Sequence, residues 1–125
     1  MKILLGISGA SGSVYGVRAA AALLSGGAEV HLLVTRIGWE IMAGELPGDP
    51  PPPAHPARRQ WIARLLPSAP GKCVLHPEDD FRIPFTSGSN PPDAVIIAPC
   101  SMGLLGRIAH GVSTSVLERC ADVAL

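Results

Sequence analysis

The sequence has no excess of either charge. Ten Lys plus Arg balance ten Asp plus Glu over 125 residues, so it lacks the basic field that would hold a nucleic-acid backbone or an anionic membrane. No nucleic-acid partner is expected. Long apolar runs are missing too: the longest unbroken stretch, Ala19 to Leu24, falls far short of the roughly 20 residues of a spanning helix. Met1-Lys2 leads into a strand pattern with no signal-peptide layout, so a soluble, cytoplasmic protein without a membrane partner is expected. The three cysteines, Cys73, Cys100 and Cys120, form no CxxC pair, and His31, His55, His76 and His110 show no HExxH spacing. Neither a disulfide framework nor a metal site is expected. Proline is absent from both ends of the chain, all thirteen lying between Pro47 and Pro99, so regular structure should concentrate at the ends.

With 47% hydrophobic residues in 12.9 kDa, the chain suffices for one core, read as a single domain over residues 1–125. Lys2 to Ile7 is a short apolar run of the kind found in a strand covered on both faces, and Ser8-Gly-Ala-Ser-Gly-Ser13 is a turn-rich loop. Val14 to Ser25 reads as a helix, with Val17, Ala20, Ala21 and Leu24 at helical spacing and Gly26-Gly27 as its stop. Glu29 to Val34 is the next strand. Such a βαβ unit makes the strands parallel and the fold class α/β. A second helix is expected over Ile37 to Gly44, an extended Pro-rich loop insertion over 46–57 that cannot be helical up to Pro56, a short helix over Ala57 to Leu66, and a brief strand over Cys73 to Leu75. Ala94 to Ala98 is the clearest buried strand; it turns through Pro99-Cys-Ser101 into a helix from about Met102 to His110. Thr114 or Ser113 is expected to cap a last helix through Val116, Leu117, Cys120 and Val123. That pattern is still running at Leu125, so the chain is expected to lack the C-terminal part of its domain.

In an open parallel sheet a ligand sits beyond the carboxyl ends of the strands, where the loops Ser8 to Ser13, Thr35-Arg36 and Pro99 to Gly103 should converge. All three offer hydroxyls and backbone N–H groups at or near helix N-termini, which suits a phosphate monoester. Glycines 6, 9 and 12 do not spell GxGxxG, and no Lys-Ser or Lys-Thr follows Gly12. Where a NAD site presents an acid to the ribose, the second strand ends in Thr35-Arg36. These features favour a mononucleotide such as FMN, with NADP left open by Arg36. The cations near the crevice mouth are Arg36, Arg82 and Arg107.

Two segments carry a family resemblance. Gly6-Ile-Ser-Gly-Ala-Ser-Gly-Ser-Val-Tyr-Gly-Val-Arg18, and Thr86-Ser-Gly-Ser89 leading into Val95-Ile-Ile-Ala-Pro-Cys-Ser-Met102 and Leu117-Glu-Arg-Cys-Ala-Asp-Val-Ala-Leu125, resemble the UbiX-type flavin prenyltransferases, formerly described as aromatic acid decarboxylases. The resemblance spans nearly the whole chain apart from its Pro-rich middle. It implies a Rossmann-like (flavodoxin-like) open parallel sheet with helices on both faces, FMN as cofactor, and transfer of a dimethylallyl group from dimethylallyl phosphate to the flavin. The implied product, prenylated FMN, serves a UbiD-type decarboxylase, and the implied assembly is a homo-oligomer, often a dodecamer.

Residue by residue, the resemblance makes Gly9, Ala10 and Ser11 the first flavin-binding loop, with the Ser11 hydroxyl near the reacting centre. Thr35 stands where the family usually has serine and would contact the FMN phosphate. Cys100, Ser101, Met102 and Gly103 would lie against the flavin ring, with Cys100 lining the site rather than acting as a nucleophile. Ser87, Gly88 and Ser89 resemble the segment closing over the prenyl pocket, and Glu45 lies where the family carries a glutamate implicated in proton handling. The family continues past the last helix with further cationic residues for the substrate phosphate, so the 125-residue chain is itself expected to be inactive. A peptidyl-cysteine-type FMN-dependent decarboxylase and a non-catalytic truncated flavin-binding domain are the alternatives; the first is disfavoured because the chain has Ala98-Pro-Cys-Ser-Met102 and Val14-Tyr15 where that group carries an Asn-containing loop and a histidine.

Overall fold

Four parallel strands in the order β3-β2-β1-β4 form one sheet in the computed structural model, which describes residues 1–125. The strands are β1 (Lys2–Ile7), β2 (Glu29–Val34), β3 (Lys72–His76) and β4 (Ala94–Ile97), and the helices are α1 (Ser13–Ser25), α2 (Arg36–Glu45), α3 (His55–Leu65), α4 (Met102–Ala109) and α5 (Val116–Ala124). This is an α/β, flavodoxin-like arrangement. The continuous apolar runs of β1 and β2 follow from burial on both faces. Ile3, Leu5 and Ile7 join Val30, Leu32 and Val34 in a core with Ala20, Leu24, Trp39, Met42, Trp61 and Ile62 from α1, α2 and α3. Leu4 and Leu33 point the other way, into a second core with Phe85, Leu104, Val116, Leu117 and Cys120.

Register places the strand ends together: Ile7 pairs with Val34, and Gly6 with Ile97. Two glycines then let helices approach those ends. A Cβ on Gly6 would lie 2.7 Å from a Leu117 methyl, so β1 leaves room there for α5. A Cβ on Gly38, in the first turn of α2, would lie 2.7 Å from the Ile7 carbonyl oxygen and 3.2 Å from that of Ser8. Backbone cannot yield as a flexible side chain does, so Gly38→Ala is expected to cost about 1–3 kcal/mol, read as a lowered midpoint in chemical denaturation. An unchanged midpoint would mean that α2 slides freely on the strand ends.

The structure departs from the sequence reading most at two helix starts and in the Pro-rich loop. Helix α3 begins at His55, not Ala57, and contains Pro56, because proline is tolerated in the first turn where its missing N–H has no partner to lose. The Pro-rich loop before it is tied down: Trp61 Nε1 donates to the Asp49 carbonyl at 2.9 Å, Arg58 Nε to that of Pro52 at 2.8 Å, and the Arg58 guanidinium lies 4.6 Å above the Trp39 ring. The cap of α5 is Ser115, not Thr114 or Ser113. Its hydroxyl accepts from Glu118 N while the Glu118 carboxylate accepts from Ser115 N, a reciprocal capping box that neither neighbour can make at that spacing.

Candidate functional site

Every strand in a parallel sheet feeds its next helix from the same edge, so the N-termini of α2 and α4 lie on one side of the molecule, and α5 brings a third. Together they surround a cavity of about 350 Å³, lined by residues that include Ser8, Gly9, Thr35, Arg36, Ser101, Arg107, Thr114, Ser115 and Glu118. Each helix has a hydroxyl cap used as an acceptor: Thr35 Oγ1 takes Gly38 N at 3.1 Å, Ser101 Oγ takes Leu104 N at 3.3 Å and Ser115 Oγ takes Glu118 N at 3.3 Å. The hydroxyl protons of all three remain free to donate. The other first-turn N–H groups have no intrahelical partner, and the three helix dipoles add their positive ends. Such a lining fits a phosphate monoester.

The wall between β1 and β4 is fixed by Ser8, which is 2% exposed. Its hydroxyl donates to the Pro99 carbonyl at 2.7 Å and accepts from Ser101 N at 2.8 Å, while Ser8 N donates to the same carbonyl. Ser8 thus sets the position of the Ser101 cap. Its sequence signal was slight: a serine directly after a buried strand.

Glu45, at the end of α2, reaches the start of α1. Its carboxylate accepts from Gly12 N at 3.0 Å, Ser13 N at 2.8 Å and the Ser13 hydroxyl at 2.7 Å. The α1 N-terminus that the sequence reading offered to a phosphate is therefore already occupied by a carboxylate, and the phosphate-binding character passes to α2, α4 and α5. The Ser13 hydroxyl, then the Gly12 and Ser13 N–H groups, hold the Glu45 carboxyl below its ordinary range, with a smaller contribution from the Ser11 hydroxyl. It is an exposed, ionised carboxylate at neutral pH.

Of the residues assigned to the flavin and prenyl sites from the sequence, the structure brings Gly9, Thr35 and Ser101 to the cavity wall, but not Ala10, Ser11, Glu45, Cys100, Met102, Gly103 or Ser87 to Ser89. Ala10 and Ser11 continue the Gly9 loop toward Glu45. Met102 is 80% exposed, and Gly103 is exposed beside Arg107. Cys100 faces away, into an apolar groove of about 420 Å³ along the free edge of β4 with Val95, Ile97 and Leu105. Burial pushes its thiol up, which keeps it protonated, so it is no nucleophile, but it lines this groove and not the cavity. Ser87, Gly88 and Ser89 are exposed after a 3-10 turn and do not line the cavity; the Ser87 and Ser89 hydroxyls bond to each other at 2.8 Å. Of the three cations named from the sequence, Arg36 and Arg107 reach the cavity, whereas Arg82 is paired with Asp80 elsewhere.

The cavity residues that sequence reasoning did not assign to the site are Glu118, Ser115 and Thr114, the last read only as a helix cap. Glu118 is 2% exposed, accepts from Thr114 N, the Thr114 hydroxyl and Ser115 N, and pairs with Arg107 Nε. The Ser115-x-x-Glu118 spacing signals a capping box, but nothing in it announces that an arginine eleven residues earlier will join.

Comparison with known proteins places this geometry. The family described as Flavoprotein matches the chain over residues 1–125. A flavin prenyltransferase UbiX from Alkalihalophilus pseudofirmus is 40% identical over 121 residues, covering 97% of this chain and 58% of that protein. The chain thus spans a little under three fifths of the length of this relative. Among solved structures, AnUbiX in complex with FMN and dimethylallyl pyrophosphate superposes with a TM-score of 0.76 at 27% identity, covering 98% of this chain and 57% of the other. A dodecameric FMN-dependent UbiX-like decarboxylase from Escherichia coli O157:H7 gives the same TM-score and identity, over 98% of this chain and 59% of that one.

Proposed function

The chain belongs to the flavoprotein family, and we propose that it carries the FMN-binding part of a flavin prenyltransferase, which moves a dimethylallyl group from dimethylallyl phosphate to reduced FMN. The observation that carries this reading is the convergence of three hydroxyl-capped helix N-termini and two arginines on one cavity at the strand ends, in a chain 40% identical to a protein named for that activity. Thr35, Ser101 and Ser115 would donate hydroxyl protons to the FMN phosphate, Gly9 and Ser101 would border the flavin from the cavity wall, and Ala10, Ser11, Met102 and Gly103, which lie outside that wall, would meet the ring where it extends beyond the cavity. Reduced FMN, when bound, supplies the nucleophilic ring edge that accepts the prenyl group. Transfer would break the carbon–oxygen bond of dimethylallyl phosphate as flavin N5 is alkylated, phosphate leaving with the N5 proton; once the alkene is protonated by that phosphate, a second bond closing at C6 would release the ring proton there, which Glu45, ionised and adjacent to the Ser11 loop, would take up. Ser87, Gly88 and Ser89 lie outside the cavity wall, so their part in enclosing the prenyl chain requires a movement of that segment or a neighbouring subunit. The product would pass to a UbiD-type decarboxylase in the cytoplasm.

The deciding experiment supplies the protein with FMN, a reductant and dimethylallyl phosphate and follows the flavin by mass spectrometry. A prenylated flavin supports the reading, flavin binding without a mass change reduces the chain to a flavin-binding domain, and carbon dioxide release from a peptide with a C-terminal cysteine, supplied with oxidised FMN, would favour the decarboxylase reading. For the phosphate contact, Thr35→Val should weaken FMN binding about tenfold or more, because it removes one charge-assisted hydrogen bond. It also removes the α2 cap, costing about 1 kcal/mol of stability. Thr35→Ser should preserve both. Equal FMN affinity in wild type and Thr35→Val, read by flavin fluorescence, would remove Thr35 from the site.

Self-association is proposed as well. Tyr15, Met102 and Leu105 are 67%, 80% and 50% exposed, β4 has a free edge beside an apolar groove, and exposed apolar surface of this kind favours assembly. Light scattering should report a mass several times that of one chain; a stable monomer would refute this.

A further inference from the structure

The cavity contains a negative charge of its own. Glu118 lines it, is ionised and is almost wholly buried. Left uncompensated, this carboxylate would repel the dianionic phosphate that the surrounding helix N-termini invite. One guanidinium stands between the two outcomes. Arg107 Nε is bound to Glu118 Oε1, and the other carboxylate oxygen is filled by Thr114 N, the Thr114 hydroxyl and Ser115 N at 2.8–2.9 Å. With Nε held there, the two Nη groups of Arg107 have no acceptor within the protein. Arg107 projects back along α4, as long helical side chains do, so that a Cβ on Gly103 would sit 3.4 Å from Nη1. That direction leads from the last turn of α4 toward its N-terminus, where Ser101 caps the cavity floor.

The second cation differs. Arg36 lies at the outer rim, its side chain 71% exposed and its Nη1 paired with Glu40 at 2.6 Å, one turn along the same helix. Such an exposed pair is free to reorganise and holds little geometry. Arg107 has a buried anchor, a planar fork and a free edge of N–H donors. An arginine so held is suited to recognise phosphate.

We propose that Arg107, anchored by the buried Glu118, is the cation that holds the ligand's phosphate in this cavity and makes the site select a phosphorylated flavin over its unphosphorylated counterpart. The inference rests on the flavin reading above and adds a specificity-determining residue to it. Glu118 acts as a positioning residue: it fixes the Nε side of the guanidinium, and its own charge makes Arg107 indispensable, since removing the arginine both deletes a donor set and exposes a carboxylate to the phosphate.

The test compares FMN with riboflavin, which differ only by the phosphate, in fluorescence titrations of the whole chain. Arg107→Gln should weaken FMN binding roughly 10- to 100-fold, as expected for losing a charge-assisted contact, and leave riboflavin binding within about twofold. Arg36→Gln should weaken FMN binding by a much smaller factor. Glu118→Gln combined with Arg107→Gln should recover part of the FMN affinity lost in Arg107→Gln alone, a result that no purely structural role for Glu118 produces. If the Gln variant fails to fold by circular dichroism, Arg107→Lys serves: a point charge cannot satisfy Glu118 and the phosphate together, so its FMN affinity should fall while riboflavin affinity holds. Equal losses for both flavins, or no loss for either, would overturn the proposal. If wild type binds neither flavin, the flavin reading fails by itself. Inorganic phosphate then decides the inference, supporting it by raising the thermal midpoint of wild type but not of Arg107→Gln and overturning it by acting on both or neither.

Discussion

In a form of the protein that transfers the prenyl group, Glu45→Gln is expected to cut that transfer about 100-fold or more while leaving FMN bound, in single-turnover assays read by flavin mass. The magnitude is that of a positioned proton acceptor. The selectivity follows from the hydrogen bonds: Glu45 accepts from Gly12 N, Ser13 N and the Ser13 hydroxyl, and a glutamine carbonyl still offers one oxygen to that loop, so the Gly9–Ser11 wall should keep its place. What glutamine cannot do is accept a proton. Glu45 is ionised at neutral pH, the form that can accept one, although the Ser13 and Gly12 donors that hold its carboxyl below the ordinary range also make it a weaker base. The competing role is structural, a carboxylate satisfying the α1 N-terminus and its dipole. Under that role Glu45→Gln would lower the stability of the protein and leave turnover per folded molecule unchanged, and that outcome would remove Glu45 from the chemistry.

Several features of this fold were legible because they depend on nearest neighbours in sequence. The apolar runs Lys2 to Ile7 and Glu29 to Val34 correspond to β1 and β2 residue for residue, since a strand buried on both faces leaves an unbroken apolar signature and a glycine loop marks where it ends. The convergence of Thr35 and Ser101 on one crevice was equally available, because parallel strands place their carboxyl ends together. What escaped depends on long-range geometry. That Glu45 would turn back 32 residues to occupy the α1 N-terminus cannot be read from spacing; an exposed helix-end carboxylate looks the same in sequence. The Arg107–Glu118 pair is hidden for the same reason: its two residues belong to separate helices, joined only when α4 and α5 pack against Leu33 and Phe85 in the second core. His55 and Pro56 were lost to the loop by treating proline as a helix breaker throughout, although the first turn accepts it.

Acid should destabilise this protein in two separate windows. His76 stacks on His31 with ring centroids 5.1 Å apart, and their nitrogens meet at 2.8 Å. Burial first, then the neighbouring His31, lowers the His76 pKa from 6.5 to about 4. Between those values the unfolded chain takes up a proton that the fold refuses, so stability falls as pH drops from about 6.5 to 4, by on the order of 2 to 3 kcal/mol. Glu118 governs the second window. Burial alone would raise its pKa, but the Arg107 guanidinium, the Thr114 hydroxyl and the Ser115 and Thr114 N–H groups outweigh burial and hold it at about 2. The stabilisation from this carboxylate is complete above the ordinary glutamate value, roughly 4.3, and is lost as pH falls toward 2. Urea midpoints measured from pH 7.5 to 3 should therefore decline from near pH 6.5 and decline further below about 4.5. His76→Gln should flatten the first slope without lowering the plateau by much, because an amide can still bond His31. Glu118→Gln should act in the opposite way, lowering the neutral plateau by about 1–2 kcal/mol, because an amide cannot satisfy all the donors of Thr114, Ser115 and the half-exposed Arg107, while flattening the second slope. A wild-type midpoint constant between pH 7 and 4.5 would show that the histidine pair accepts its proton without cost in the fold. A neutral plateau untouched by Glu118→Gln would show that Arg107, Thr114 and Ser115 find other acceptors, and the anchor of the cavity wall would have to be sought elsewhere on α5.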